Sequence, residues 1–282
     1  MQPSKALCYT GYMLVTVDTG GTKTLVASFS EAGKIQKQVK FPTPSDQTEY
    51  VTLLVSTLQK QFNNAPIDAI SIALPGTVVD NIVTWCENLG WANFDIVGHL
   101  TRHFGTTPIF VENDANLAGL AETRVLDPIP TSSLYVTIST GIGTGVTTNG
   151  QIDQGLKHSE GGRILVEFQG EVREWENFAS GHAIYETYKQ YARDITDETA
   201  WADISDRISR GFLAVIPMIQ PDVIIIGGSI GTYFDRFGLA LEATLRNKLP
   251  AHIPCPTFLQ ASHPEEAVVY GCYYYAIDCL AR

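Results

Sequence analysis

A pair of glycines joins the first two predicted strands, in the stretch Asp18-Thr19-Gly20-Gly21-Thr22-Lys23. β-Branched residues and apolar alternation around it predict three successive strands, at residues 12–19, 22–30 and 34–42. Because glycine has no Cβ, the backbone N–H groups of such a turn can approach a bulky anion closely. Asp18 could then hold Mg²⁺ through water, and Thr22 could offer its hydroxyl to a phosphate. The alternative is a plain hairpin, since Gly-Gly is a common turn.

A second Thr/Gly turn occurs in the other half of the chain, in Ser139-Thr140-Gly141-Ile142-Gly143-Thr144-Gly145. The pattern predicts a strand at 134–140, a glycine turn at 141–145 and a return strand at 146–148. It is not a P-loop, because G-x-x-x-x-G-K-[ST] is absent, and Val146 stands where a dinucleotide fingerprint needs its third glycine. Taken alone, it is explained equally well by a turn without function. Two such turns, however, could clamp a phosphate chain from both sides.

Strands and helices alternate through most of the chain, which predicts an α/β fold, and the repeated turn indicates two similar halves beside a ligand cleft. Helices are predicted at 50–62, 114–125, 181–193, 205–218 and 265–280, with another ending at 249, and buried strands at 69–74, 108–112 and 223–226. We place the domain boundary in the proline-containing loop 126–133. The first domain then spans 1–125, completed by the C-terminal helix 265–280, and the second spans 126–264.

The composition limits the classes of function. Asp and Glu (30) outnumber Lys and Arg (19), giving a formal net charge of -11, whereas a general nucleic-acid binder needs a cationic face. Phosphate ligands stay possible, because glycine turns and helix N-termini hold them locally. The five cysteines lack C-x-x-C spacing and fit reduced thiols in a cytoplasmic protein. No apolar run has the length of a membrane span, and the N-terminus is interpreted as a strand, not a signal peptide.

A polar cluster directly follows a predicted buried strand, in Glu112-Asn113-Asp114-Ala115-Asn116. Asn113 or Asp114 could simply cap the next helix. In the functional interpretation, the carboxylate of Asp114 takes the proton from a sugar hydroxyl as that oxygen attacks phosphorus. The amide of Asn113 both donates to and accepts from hydroxyls, which suits a sugar.

Two further acidic residues, Glu160 and Glu176, are candidates for orienting a polyol, because carboxylates accept hydrogen bonds from hydroxyl groups. The alternative for each of them is solvated surface charge. Neither interpretation can be chosen from these two residues alone.

An apolar strand runs into Gly227-Gly228-Ser229-Ile230-Gly231. In a kinase, Gly227 and Gly228 would let adenine and ribose lie against the backbone. The same letters spell G-x-S-x-G, the nucleophile elbow of serine hydrolases. Ser229 would then be the nucleophile, with these supporting candidates: Asp235, Glu242, His252 and His263. We favour the kinase, because the elbow would come very late, after most of the sheet.

Taken in order, these motifs resemble those of the ROK family of sugar kinases, within the hexokinase–actin–Hsp70 superfamily. The stretches 18–23 and 139–143 resemble its two phosphate motifs, 112–116 its catalytic-aspartate motif, and 221–228 its adenosine motif. The stretches 73–76 and 88–91 resemble its sugar-side loops, and 176–181 resembles the segment with a sugar-binding glutamate. The match covers nearly the whole chain.

The resemblance implies two actin-like (ribonuclease H-like) domains flanking a ligand cleft. It implies phosphorylation of a hexose or N-acetylhexosamine by ATP with Mg²⁺, at the 6-hydroxyl, with Asp114 as base, in a homodimer. The implied sugar ligands are Gly76, Asn88, Asn113, Asp114, Glu160, Arg163 and Glu176. The implied nucleotide and phosphate ligands are Asp18, Gly20, Gly21, Thr22, Lys23, Thr140, Gly141, Gly143, Thr144, Gly227 and Gly228.

One departure concerns the family's Gly-Glu-x-Gly-His motif and the zinc-binding cysteines that follow it. Here Arg163 stands where the histidine is expected, and no cysteine or histidine lies between Arg163 and Glu176, so we predict no zinc. The histidine normally helps hold hydroxyls near the anomeric carbon, which leaves the identity of the sugar open. Relatives that use polyphosphate also lack this zinc site, so polyphosphate is an alternative donor.

A sugar sensor without catalytic activity is the other alternative. Repressors of the family carry an N-terminal helix-turn-helix. The first phosphate motif begins here at Asp18, which leaves no room for that domain. A sensor that does not bind DNA stays open.

Overall fold

The computed structural model describes residues 13–62, 66–263 and 266–282. Two compact units are found: unit 1 contains the described residues of Met1–Asp114 together with Val268–Arg282, and unit 2 contains Ala115–Ala267. The domain boundary placed at 126–133 from the sequence stays a prediction.

A five-stranded sheet forms the centre of unit 1. Its strands are β1 (Leu14–Thr19), β2 (Lys23–Phe29), β3 (Ile35–Pro42), β4 (Ala69–Leu74) and β8 (Ile109–Asn113), in the order β3-β2-β1-β4-β8. The first three are antiparallel, whereas β4 runs parallel to both β1 and β8. The five strands predicted for this region are confirmed, although Tyr12, the predicted start of β1, lies outside the described residues. The parallel strands β1, β4 and β8 therefore end at the same edge of the sheet.

Helices cover both faces of this sheet: α1 (Gln47–Gln61), α2 (Ile96–Phe104) and the C-terminal α9 (Ala267–Leu280). On one face, Leu54 and Leu58 of α1 pack with Val17 of β1. On the other face, Val269 of α9 packs against Phe29 of β2. Because side chains alternate along a strand, Asp18 points to the α9 side when Val17 points to α1. The predicted helices at 50–62 and 265–280 are confirmed, with Glu265 outside the described residues.

A small antiparallel sheet follows β4 and was not predicted. It consists of β5 (Thr77–Val79), β6 (Ile82–Cys86) and β7 (Trp91–Phe94), in that order. Gly76 lies just before β5, and Asn88 lies in a short 3₁₀ turn between β6 and β7. This insertion therefore brings both predicted sugar-side loops onto one small structural element.

Unit 2 is built on a second five-stranded sheet. Its strands are β9 (Ser132–Ile138), β10 (Ile142–Thr148), β11 (Gln151–Ile152), β14 (Val223–Gly227) and β15 (Thr257–Gln260), in the order β11-β10-β9-β14-β15, and β12 (Leu165–Phe168) pairs separately with β13 (Glu171–Glu174). The helices are α3 (Asp114–Arg124), α4 (Glu176–Ala179), α5 (Gly181–Tyr188), α6 (Glu198–Ile219), α7 (Gly228–Gly231) and α8 (Phe234–Lys248). Side chains from β9, β14, α6 and α8 form its largest apolar core.

Three predicted boundaries in unit 2 are wrong. The helix expected at 205–218 already begins at Glu198. The glycine turn was expected at 141–145, but the chain turns at Ser139–Gly141 and β10 already starts at Ile142. Gly145 lies inside the strand, and a Cβ there would overlap the carbonyl oxygen of Ala115 in α3, so glycine serves close packing here and not a turn. The helix expected at 181–193 ends at Tyr188, where Lys189 takes a left-handed conformation with φ of 53°.

Within the described residues, no helix combines the length and apolar character needed to cross a membrane. The same residues contain no group of three or more His, Cys, Asp and Glu side chains arranged to hold a metal ion. The expectation of no zinc stays a prediction.

Candidate active site

Two carboxyl groups come near each other at the edge where β1, β4 and β8 end. Asp18 is the penultimate residue of β1, and Asp114 immediately follows β8 as the first residue of α3. Burial and the negative charge of Asp114 raise the pKa of Asp18 to about 7, against the opposing charge of Lys40. A buried carboxyl beside a like charge is stabilised by a proton or by a cation. This edge is therefore suited to a positively charged ligand.

The first glycine turn is closed by its own backbone and by Thr43. The N–H of Gly20 donates to the carbonyl of Lys23 at 3.0 Å, and the hydroxyl of Thr43 donates to the carbonyl of Gly20 at 2.8 Å. Gly21, Thr22 and Lys23 are exposed. The turn is thus a well-defined hairpin whose tip remains accessible to an anion.

The sugar-side loops lie beside this turn within unit 1. The Cβ of Asn88 is 3.7 Å from the position that a Cβ on Gly21 would take. The side-chain amide of Asn113 donates to the carbonyl of Gly76 at 2.9 Å. Gly76 has φ of 89°, and a Cβ there would overlap the carbonyl of Trp85, so only glycine fits. The structure therefore brings together the predicted residues of unit 1: Asp18, Gly20, Gly21, Thr22, Lys23, Gly76, Asn88, Asn113 and Asp114.

Unit 2 contains the second group of predicted residues, around the turn Ser139–Gly141. The N–H of Ile142 donates to Oε2 of Glu176 at 3.2 Å. Arg163 Nη1 lies 3.0 Å from Oε1 of Glu176 and 2.9 Å from Oε2 of Glu174. Arg163 and Glu176 thus lie beside the turn that carries Thr140 and Gly141.

The other predicted residues of this turn have structural partners. The hydroxyl of Thr144 accepts a hydrogen bond from the N–H of Gly161 at 3.0 Å, and Thr144 is buried. Gly143 lies inside β10, where a Cβ would press on Ala115 and Thr137. Glu160 is exposed, at the start of the 3₁₀ turn Gly161–Arg163. A phosphate role therefore fits Thr140 and Gly141 better than Gly143 and Thr144.

Gly227 and Gly228 form the junction between β14 and α7. Gly228 has φ of 78°, a conformation that favours glycine. His263, one of the histidines considered for a hydrolase, has its backbone N–H 2.7 Å from Glu122 and its Nδ1 3.6 Å from the same carboxylate. Glu122 thus supplies a structural partner for this histidine.

Sequence reasoning missed two residues beside Asp18. Lys40 lies in one cross-strand row with it, because Asp18 pairs with Leu25 and Leu25 pairs with Lys40. Cys272 of α9 is buried, lies 3.8 Å from the carbonyl of Val17, and has its pKa raised by burial and by the charge of Asp18. The strand register could have revealed Lys40, whereas no local signal points to Cys272.

The chain is similar to sugar kinases along most of its length. A fructokinase of Pediococcus pentosaceus is 28% identical over 250 residues, which cover 82% of this chain and 84% of that protein. The solved inorganic polyphosphate/ATP-glucomannokinase from Arthrobacter sp. strain KM is 26% identical, with a TM-score of 0.70 over 95% of this chain and 100% of that one. A ROK family glucokinase from Streptomyces griseus, in complex with glucose and AMPPNP, shares the fold at 20% identity, with a TM-score of 0.79 over 94% and 99% of the two chains.

The resemblance drawn from the ordered motifs and the predicted actin-like α/β fold are thus confirmed. The model of the ROK family matches residues 14–278. Because this match includes nearly all the described residues, the chain belongs to the ROK family and is a sugar kinase.

Proposed function

We propose that the protein transfers the γ-phosphoryl group of ATP to the 6-hydroxyl of a hexose, with Asp114 as general base. The observation that carries this proposal is the position of Asp114, at the carboxyl ends of three parallel strands beside Asn113 and Asp18. Ligands of open α/β sheets bind at such edges. A fructokinase and a glucomannokinase among the similar proteins support a hexose as acceptor.

Sugar binding is assigned mainly to unit 1. Asn113 donates its side-chain amide to the carbonyl of Gly76, which fixes the direction of the amide, and an amide is a group that suits sugar hydroxyls. Asn88 would contact the same sugar. Glu160 and Glu176, which belong to unit 2, stay proposed acceptors for sugar hydroxyls. Asp114 would accept the proton of the 6-hydroxyl as that oxygen attacks phosphorus. Positioning supplies much of the rate enhancement in such a reaction.

The donor set around Asp18 fits Mg²⁺. Its buried carboxyl lies near Asp114, and the raised pKa shows that Lys40 alone does not compensate the negative charge. Oxygen ligands with several retained waters are what Mg²⁺ prefers. Bound there, Mg²⁺ would neutralise charge on the phosphates. The chain's own contribution is to hold Asp18 on β1, and a cation bound there would favour the ionised form of its carboxyl.

Each unit offers one glycine turn for the phosphates of ATP. In unit 1 this is the tip at Gly20, Gly21, Thr22 and Lys23, and in unit 2 it is Thr140 and Gly141. Backbone N–H groups in such turns bind anions without requiring net positive charge. Gly227 and Gly228 would lie against the adenosine. The AMPPNP bound by the Streptomyces griseus glucokinase supports ATP as donor.

A screen of sugars and donors tests the proposal. Glucose, fructose, mannose and their N-acetylated derivatives are each incubated with ATP or polyphosphate, and ADP and sugar phosphate are measured. We expect ATP-dependent phosphorylation of at least one hexose, and no reaction with its 6-deoxy analogue. Turnover with polyphosphate would support the alternative donor, which the Arthrobacter glucomannokinase favours. Sugar binding without any turnover would refute the kinase and favour the sensor.

The homodimer and the cytoplasmic location stay predictions. Light scattering coupled to size-exclusion chromatography tests the first of them, and fractionation of the source cells tests the second.

A further inference from the structure

The glycine turn of unit 2 is held at both of its ends by the segment around α4. The N–H of Gly181, just after α4, donates to the carbonyl of Ser139 at 2.6 Å. At the other end of the turn, the N–H of Ile142 donates to Glu176, the first residue of α4, at 3.2 Å. The position of the turn therefore depends directly on the side chain of Glu176.

Arg163 holds this glutamate in place. Its Nη1 lies 3.0 Å from Oε1 of Glu176, while Oε2 of the same carboxylate faces Ile142. The backbone of Arg163 is itself anchored, because the preceding Gly162 packs so closely on Ile142 that a Cβ would overlap its carbonyl. Nη1 of Arg163 also donates to Oε2 of Glu174 in β13 at 2.9 Å. Two carboxylates therefore fix the orientation of the Arg163 guanidinium.

The charge of Glu176 matters to any anion bound at this turn. A Cβ on Gly141 would lie only 2.8 Å from Oε2 of Glu176, so the carboxylate is immediately beside the backbone proposed to bind phosphate. A carboxylate at that place repels a phosphate, and the repulsion is strong where side chains are shielded from water. Glu176 is only 18% exposed, and Arg163 is the cation in contact with it. Arg163 therefore compensates the charge that would oppose the nucleotide.

We propose that Arg163 is a positioning residue for the nucleotide. Acting through Glu176, it fixes the turn 139–142 and neutralises the carboxylate beside it, so that the turn can accept the phosphates. This inference rests on the proposed kinase function. It differs from the expectation that Arg163 contacts the sugar, since it predicts that loss of Arg163 weakens nucleotide binding even when no sugar is present.

The test is the affinity for Mg²⁺–AMPPNP, measured by calorimetry without sugar. We expect Arg163→Met to weaken binding about 5- to 10-fold, a modest effect for a charge that is 43% exposed. Arg163→Lys should restore most of the affinity, because it keeps the charge. Arg246→Met serves as matched control: this arginine also pairs with a glutamate, at 3.3 Å on α8, and its loss should change the affinity less than 2-fold.

A double variant separates the charge effect from structural damage. Glu176→Gln removes the charge that Arg163 compensates, so Arg163→Met/Glu176→Gln should bind Mg²⁺–AMPPNP more tightly than Arg163→Met. Damage to the fold would instead make the double variant weaker still. Should Arg163→Met fail to fold, Glu176→Gln alone decides the question: the proposal requires unchanged or tighter nucleotide binding, and a loss of more than about 3-fold overturns it.

The failure of this inference and that of the kinase proposal have different signatures. If the wild-type protein binds no Mg²⁺–AMPPNP and phosphorylates no sugar, the proposed function is wrong. If the wild type binds nucleotide and Arg163→Met binds it equally well, only the role of Arg163 is refuted. A raised KM for the sugar with unchanged nucleotide affinity would assign Arg163 to the sugar instead.

Discussion

The stability of Asp18→Asn relative to the wild type should increase as the pH rises from 5 to 8. The pKa of Asp18 lies at about 7 in the folded protein, against an ordinary value of 3.8, chiefly because of burial and then because of the charge of Asp114. A carboxyl with a raised pKa binds its proton more tightly when folded. The stabilising contribution of this proton to the free energy of unfolding is therefore fully present below pH 4. It is lost as the pH rises towards 7.

The magnitude follows from the same two pKa values. Their difference of about 3, at about 1.4 kcal/mol for each unit, corresponds to roughly 4 kcal/mol lost in total above pH 7. Between pH 5 and pH 7 the loss is about 2.3 kcal/mol, and it grows by only about 0.3 kcal/mol more by pH 8. Asparagine carries no charge at any of these values. Other effects of Asp18→Asn do not depend on pH, so they cancel when the stability difference is compared between two pH values.

Urea unfolding in EDTA, followed by tryptophan fluorescence at pH 5, 6, 7 and 8, measures this difference. The advantage of Asp18→Asn over wild type should grow by about 2 to 3 kcal/mol from pH 5 to pH 8. Asp80→Asn is the matched control, because Asp80 is exposed in a turn where asparagine also tolerates its φ of 50°. A difference that is the same at all four pH values would refute the reasoning.

Three further predictions concern catalysis and binding. Asp114→Asn should lower kcat by about 10²- to 10⁴-fold while sugar binding persists, and steady-state kinetics showing near-normal turnover would remove Asp114 as base. Binding of Mg²⁺ with nucleotide at pH 6.5 should release protons from wild type but not from Asp18→Asn, because a cation favours the ionised carboxyl. Calorimetry in buffers of different ionisation enthalpy measures the number of protons released. Gly76→Ala should raise the sugar KM on the order of 10-fold or more, since the carbonyl that orients Asn113 must move. Gly170→Ala, at φ of 83° in open space in the β12–β13 hairpin, is the control and should leave that KM nearly unchanged.

The five strands of the central sheet of unit 1 were predictable because apolar alternation and glycine turns mark them clearly. The strand predictions failed where glycines or exposed apolar residues interrupted the alternation of buried and exposed side chains. Gly143 and Gly145 suggested a long turn, but they are strand residues whose missing side chains let α3 approach β10. The hairpin of β12 and β13 was missed because it exposes Leu165 and Val172, so the strands lack a buried apolar face.

The site residues were found one motif at a time, whereas their partners came only from the fold. Asn113 and Asp114 follow a recognisable buried strand, but the hydrogen bond from Asn113 to Gly76 depends on β4 lying next to β8. Likewise, Arg163 was noticed only as a departure from a family motif. Its ion pair with Glu176 requires the hairpin of β12 and β13, which lies between them in sequence and was not predicted. Pairings across such distances are set by packing and not by local pattern.

The two units differ in how the negative charge beside their glycine turns is compensated. In each unit a carboxylate lies near a glycine turn that is proposed to bind phosphate, Asp18 in unit 1 and Glu176 in unit 2. Glu176 has Arg163 in direct contact at 3.0 Å, so its charge is compensated by the chain itself. For Asp18, the opposing charge of Lys40 does not outweigh burial and the charge of Asp114, and the pKa is raised to about 7. A bound cation would therefore compensate more uncompensated charge at Asp18 than at Glu176, which favours unit 1 for the proposed Mg²⁺.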